Sequence, residues 1–305
     1  MSVRGLLKST VERGALWSGV PRVMRARHSG DVLVLAYHNI VPHGQLPTGD
    51  RSLHLAQSHF AAQLDALTRT HDVIPLDRAL SGHTGRRPAA VITFDDAYEG
   101  AVKAGVAELA QRGLPATIFV ATAYVNGGDF WWDALTLPGC SAPDRKLRAR
   151  ALVELRGEDA PIRAMAAREH LASETSLAPH ARGARESDLA AAAALPGITL
   201  ASHTRSHPNL SRLEGDALRD EMSAPLAWLR ERFANVLPMI SYPYGLSSPA
   251  VERAAAHAGY TAGFRIDGGW LPRSSRNAFA LPRLNVASGV SPAGFALRCS
   301  GVLIR

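Results

Sequence analysis

The chain has 305 residues, of which 46% are apolar and 20% charged, and carries a net charge of +7. This balance supplies enough apolar material for a buried core and excludes a disordered or low-complexity chain. The length suits one barrel-sized α/β domain, which routinely needs roughly 200–250 residues, plus an insertion; with only Cys140 and Cys299 present, a disulfide framework is excluded.

Arg4, Lys8, Arg13, Arg22, Arg25 and Arg27 crowd the first 28 residues. They interrupt the apolar stretch that a signal peptide needs, which sets an expectation of a cytoplasmic protein. The stretch from Leu6 to Met24 reads as a basic amphipathic helix, either lying on the inner membrane face or packed as a surface helix on the domain. No run approaches the roughly 18–20 apolar residues of a membrane span. The arginines of 145–185 are scattered among alanines and lack interleaved aromatics, so nucleic acid is not an expected partner.

Val32 to Tyr37 is an apolar run that reads as a buried strand opening into a loop at His38 and Asn39. Phe60, Leu64 and Leu67 follow at helical spacing, and Val73 and Ile74 suggest a short strand. Ala89 to Phe94 is a stronger strand that delivers Asp95 and Asp96 at its end. Val102, Val106 and Leu109 share a helical face, Gly113 stops that helix, and Ala116 to Val120 is the next strand. From about Asp133 to Leu195 the rhythm breaks into an Ala/Arg/Glu-rich stretch of helix formers, read as a helical insertion. Strands over 198–202, 239–242 and 260–264 then alternate with helices over about 214–232 and 248–257. Repeated β-then-α units imply a parallel sheet, open or closed into a barrel.

Two clusters sit where such folds place their chemistry, at the carboxyl ends of strands. Asp95 and Asp96 are adjacent carboxylates whose repulsion calls for a cation or a proton. His203 and His207 stand four apart, and Pro208 disfavours a continuing helix, so a turn carries them. Two histidines and one carboxylate leave coordination positions open for water and substrate, the ligand count of a catalytic hydrolytic metal site.

Taken together, Leu35-Ala36-Tyr37-His38, Thr93-Phe94-Asp95-Asp96, Gly113 to Val120, Phe130-Trp131-Trp132-Asp133, His203 to Pro208 and Tyr242-Pro243-Tyr244-Gly245 resemble the polysaccharide deacetylases of the NodB-homology type. The resemblance implies a distorted (β/α) barrel over residues 29–290, preceded by a basic helical segment over 1–28 and followed by a tail over 291–305. It implies a metal-dependent removal of acetyl from an N-acetylated sugar of a glycan or glycolipid. Asp95 matches the catalytic base; Asp96, His203 and His207 match the ligands of a divalent ion, with Zn²⁺ expected; the backbone N–H of Tyr244 matches the oxyanion donor. Trp131, Trp132 and Tyr242 are candidates to contact sugar, Asp133 to cap the following helix, and Thr204 to brace the ligand loop.

Two departures stand beside these matches. The arginine expected shortly before the Pro-aromatic pair is replaced by Ser241, and Arg283 is the candidate to orient Asp95 from another strand. The late histidine expected to protonate the leaving amine is absent, and His38, with an ordinary imidazole pKa, is the candidate to replace it. Without such an acid, an O-acetyl esterase or a catalytically silent glycan-binding module would remain as alternatives.

Overall fold

The computed structural model describes residues 3–81, 85, 87–137, 139–171, 176–272 and 277–302. Six strands form its parallel framework: β1 Val32–Tyr37, β2 Ala89–Phe94, β3 Ala116–Val120, β4 Ile198–Ser202, β5 Val236–Ser241 and β6 Ala262–Phe264. They neighbour one another in that order, all parallel, as β-then-α crossovers require. β1 and β2 are buried at every position, which explains their unbroken apolar sequences.

Side chains alternate between two layers. Leu33, Leu35 and Tyr37 pack outward against Phe60 and Leu64 of the helix Gln57–Thr68, while Val32 and Val34 turn inward toward Phe119, Met239 and Phe264. The sheet curls back on itself through a late segment. Leu281 bridges Phe264 of β6, and the short strand β7, Leu284–Asn285, pairs in parallel with Leu35 and Ala36 of β1. A distorted (β/α) barrel results, with the strand ends carrying residues 38, 95–96, 203 and 242 on one rim.

Helices follow the expected positions, with informative shifts. Gly113 ends the helix Val106–Arg112 in the left-handed conformation, φ 61°. The stretch after Phe130 is helical, with Arg145–Val153 and Asp159–Arg168. The next helix, Glu186–Ala193, buries Leu189, Ala192 and Ala193 in the main core and leads directly into β4. It is therefore a crossover helix of the barrel, and the insertion is shorter at its C-terminal end than the alanine-rich composition suggests.

The two chain ends pack together. Helices α1 Val3–Trp17 and α2 Val20–Arg27 precede the barrel, and the segment read as a tail contains a helix, Pro292–Arg298, lying between α1 and the helix Gln57–Thr68. Ser291 caps that helix and donates from its Oγ to Glu12 of α1 at 2.5 Å. Among the described residues no helix is long and apolar enough to cross a membrane.

Candidate active site and metal centre

A cavity of about 360 Å³ opens on the carboxyl rim and is lined by His38, Asp95, Asp96, Trp132, His203 and His207, among others. The sheet register assembles it. Phe94 pairs with Tyr37, which sets Asp95 and Asp96 beside His38, and Ser202 pairs with Ile240, which sets His203 beside Ser241.

Asp96, His203 and His207 converge and are all buried. Nε2 of His203 lies 3.1 Å from Nε2 of His207, and Asp96 Oδ1 lies 3.4 Å from each. Asp96 Oδ1 has no hydrogen-bond partner among the described residues, so a buried carboxylate oxygen faces two imidazole nitrogens without a satisfying donor. A divalent ion held by the three would resolve this. Bonds of about 2.0–2.2 Å in a tetrahedron separate neighbouring donors by about 3.3–3.6 Å, close to the spacing here. His203 Nδ1 lies 2.8 Å from the Ser241 carbonyl, to which it donates, so that its Nε2 lone pair is turned toward the triangle.

The electrostatics agree with a cation at this point. Burial alone lowers His203, yet the Asp95 and Asp96 carboxylates outweigh it and raise the imidazole above its ordinary value. Burial, reinforced by the charge of His203, pushes His207 down to about 3. Burial would raise Asp96, but the two imidazoles hold it below the usual carboxylate range.

The ligand loop is braced from two sides. Thr204 Oγ1 accepts from the His207 N–H at 3.1 Å, and the Glu221 carboxylate, reaching in from the helix Gly215–Arg232, accepts from the Arg205 and Ser206 N–H groups and the Ser206 hydroxyl. The backbone is strained here: of the eight non-glycine residues with positive φ among the described residues, five, Asp96, Ala97, Thr204, His207 and Tyr244, lie in the loops around the cavity. Such conformations cost on the order of 1–3 kcal/mol each and persist only where surrounding bonds enforce them.

Asp95 is gripped by Arg283 through two hydrogen bonds of 2.7 Å, and neither side chain has appreciable exposure. Arg283 also donates to Thr93 Oγ1 at 3.0 Å, to Ser241 Oγ at 2.6 Å and to the Arg265 carbonyl at 3.2 Å. Its plane rests against Phe119. Burial would raise Asp95, but the guanidinium dominates and holds it well below the usual carboxylate range. Asp95 is thus fixed as an anion beside the triangle of donors, with Ser241 donating to its Oδ2 at 3.2 Å while accepting from Arg283.

Other sequence candidates are placed differently. Trp132 lines the cavity, packing its ring 4.8 Å from that of His207. Trp131 is buried outside the lining and donates from Nε1 to the Tyr244 hydroxyl at 3.3 Å, so it supports Tyr244 and does not present a face to sugar. Tyr242 is fully buried, its hydroxyl spent on the Phe279 carbonyl, and it packs in the core with Leu210 and Met222. Its side chain leaves the rim because it continues the alternation of β5: Ile240 and Tyr242 share the outer cluster, while Ser241 between them faces Asp95 and Arg283. His38 lines the cavity, but burial lowers its imidazole below the ordinary value against the opposing pull of Asp96 and Asp95. The expectation of an ordinary pKa at His38 does not hold.

Asp133 does not cap a helix. Phe130 occupies that position, and Asp133 is fully buried, accepting from the Tyr98 hydroxyl at 2.5 Å and the Asp50 N–H at 2.7 Å while facing His54 Nε2 at 3.0 Å. Tyr98 in turn accepts from Trp132 Nε1 at 2.9 Å, so this network holds the tryptophan against His207. Sequence reasoning missed His54, Asp50 and Tyr98, which carry no spacing signal. It also missed Arg148, which reaches the cavity from the insertion and pairs with Asp50 at 2.8 Å.

The profile of one protein family, described as polysaccharide deacetylase, matches residues 82–263. Curated proteins give no match. Among solved structures the chain is similar to the Streptococcus pyogenes deacetylase PplD in complex with acetate, at 18% identity and TM-score 0.59, covering 87% of this chain and 96% of that one. It is similar to IcaB from Ammonifex degensii, at 15% identity and TM-score 0.58, covering 89% and 97%. The de-N-acetylase from Aggregatibacter actinomycetemcomitans gives 14% identity and TM-score 0.59, covering 86% and 97%. At these identities the three structures establish a shared fold.

Proposed function

The chain belongs to the polysaccharide deacetylase family, and on that premise we propose that it is a divalent-metal-dependent hydrolase removing the acetyl group from an N-acetylated sugar of a glycan or glycolipid. The observation that carries this reading is the triangle of Asp96, His203 and His207 in one cavity with the arginine-paired carboxylate of Asp95.

Asp96 Oδ1 and the two Nε2 atoms would hold the metal, and when bound it supplies Lewis-acid polarisation of the acetyl carbonyl and lowers the pKa of water. Asp95 accepts the proton of the attacking water. Its pairing with Arg283 keeps it ionised and oriented, so no population is lost to the protonated form. Tyr244 stands at the cavity wall in a left-handed conformation, φ 58°, from which its backbone N–H serves the developing oxyanion; such a donor contributes about 3–4 kcal/mol at most. His38, on the cavity lining beside Asp95 and Asp96, delivers the proton that the leaving amine needs. Trp132 offers the apolar wall against which a sugar face packs.

The test is acetate release by metal-loaded protein from free, nucleotide-linked and lipid-linked N-acetyl sugars, run beside O-acetyl sugars. Acetate from an N-acetyl sugar supports the reading. Release from O-acetyl sugars alone would make the protein an esterase, and release from none would remove the enzymatic reading.

A further inference from the structure

The first 30 residues contain six basic side chains and a single acidic one, Glu12. Glu12 is buried and accepts a hydrogen bond from Ser291. On the outside of the same two helices, large apolar side chains stand in solvent: Trp17 is 90% exposed, Val11 68%, Val23 57% and Val20 48%. Packing does not demand them there. α1 and α2 are anchored on their other side, through contact with the helix Pro292–Arg298 and through Pro21, Leu16 and Phe295 around a neighbouring cleft.

That cleft, about 240 Å³ in volume, is bordered by three arginines, Arg22, Arg25 and Arg69. Arg13, Arg22 and Arg27 are exposed close to Trp17 in sequence. Exposed tryptophan and valines beside exposed arginines match a surface that is apolar at one depth and anionic at the next. Indole rings favour the headgroup level of a bilayer, valines favour the acyl boundary, and arginines favour phosphate. A protein partner with the same pattern would have to present an acidic rim around an apolar pocket, whereas an anionic bilayer presents both everywhere.

From this juxtaposition we propose that α1 and α2 form a docking face for an anionic phospholipid bilayer, with the exposed Arg13, Arg22 and Arg27 meeting headgroup phosphate. The face is built from residues that take no part in the cavity, so the inference stands independently of the enzymatic reading.

The experiment is co-sedimentation of the full chain with phosphatidylglycerol vesicles and with phosphatidylcholine vesicles. Binding to the anionic vesicles is expected to exceed binding to the neutral ones by tenfold or more. It should collapse between about 0.1 M and about 1 M NaCl, where the Debye length shrinks from about 10 Å to about 3 Å. Two variants should each weaken it at least tenfold: Trp17→Ser with Val20→Ser and Val23→Ser, and Arg13→Gln with Arg22→Gln and Arg27→Gln. Both change exposed positions, and melting temperature and turnover of a soluble substrate are expected to stay at wild-type values. Equal binding to both vesicle types, no binding, or unchanged binding by both variants would overturn the proposal. So would a dimer of the free protein that Trp17→Ser disperses, since the face would then belong to a second copy of this chain.

Discussion

Nε2 of His203 and Nε2 of His207 face each other across 3.1 Å, two lone-pair positions brought together with the partnerless oxygen of Asp96 beside them. One divalent ion per chain is expected by elemental analysis. Loss of an outer partner of a ligand typically weakens metal binding by about 10–100-fold, so His203→Ala, which removes a ligand, should cost more than that. A variant that keeps full metal content would show the three side chains to be a buried polar cluster.

The proposed roles of the neighbours Asp95 and Asp96 are separable by experiment. Asp95→Asn should bind metal nearly as wild type while turnover falls by roughly 10²–10⁴, the usual contribution of a positioned acid or base. Asp96→Asn should lose metal and turnover together. Equal metal loss from both variants would collapse the distinction.

Arg283 is buried with Asp95 as a charge pair. Removing one partner of such a pair leaves an uncompensated charge and costs about 3–5 kcal/mol, so Arg283→Met should melt far below wild type and lose activity. Arg283→Lys keeps the charge but cannot reproduce the two-pronged contact or the bonds to Thr93 and Ser241. It should recover part of the stability and little of the turnover. Full activity in the lysine variant would reduce Arg283 to a source of positive charge.

His38 can be tested by leaving group. His38→Ala should lose most activity on an N-acetyl sugar and much less on an activated acetyl ester, whose alcohol departs without a proton. Equal losses on the two substrates would point to a binding or structural role.

His71 provides a pH prediction away from the cavity. It is buried, its Nε2 has no hydrogen-bond partner among the described residues, and burial with the charges of Arg25 and Arg87 lowers it to about 4. The folded state thus binds the proton less readily than the unfolded chain, whose histidine titrates near about 6.5. Its contribution is fully present above about pH 6.5 and is lost as pH falls toward about 4, a change of roughly 3 kcal/mol. His71→Gln should flatten unfolding free energy over that window, measured by denaturant titration. A slope equal to wild type would remove His71 from the account.

Legibility in the sequence followed burial. β1, β2 and β3 lie where their apolar runs place them, because strands covered on both faces are apolar throughout. The meeting of Asp96 with His203 and His207 was also readable, since each follows a strand end and parallel strands deliver those ends to one rim. What escaped was set by side-chain direction and long-range pairing. Tyr242 sits beside rim residues in sequence, yet the alternation of β5 puts its ring on the outer face with Ile240, in the core. Asp133 looks like a helix cap until His54, Tyr98 and Asp50 arrive from three other segments. Glu186–Ala193 has the composition of the insertion before it, and only its burial against the barrel separates the two.

The order of the chain adds a temporal dimension. Asp95 and its partner Arg283 are 188 residues apart, and Arg283 arrives on the segment that joins β6 back to β1. On a ribosome adding about 5–20 residues per second, roughly ten to forty seconds separate the synthesis of the carboxylate from that of its guanidinium. Throughout that interval the nascent chain holds both aspartates and, later, both histidines, but not the guanidinium that grips Asp95. Closure of the Asp95–Arg283 pair therefore waits until residue 283 has been made, and a chain interrupted before that point leaves Asp95 without its guanidinium partner.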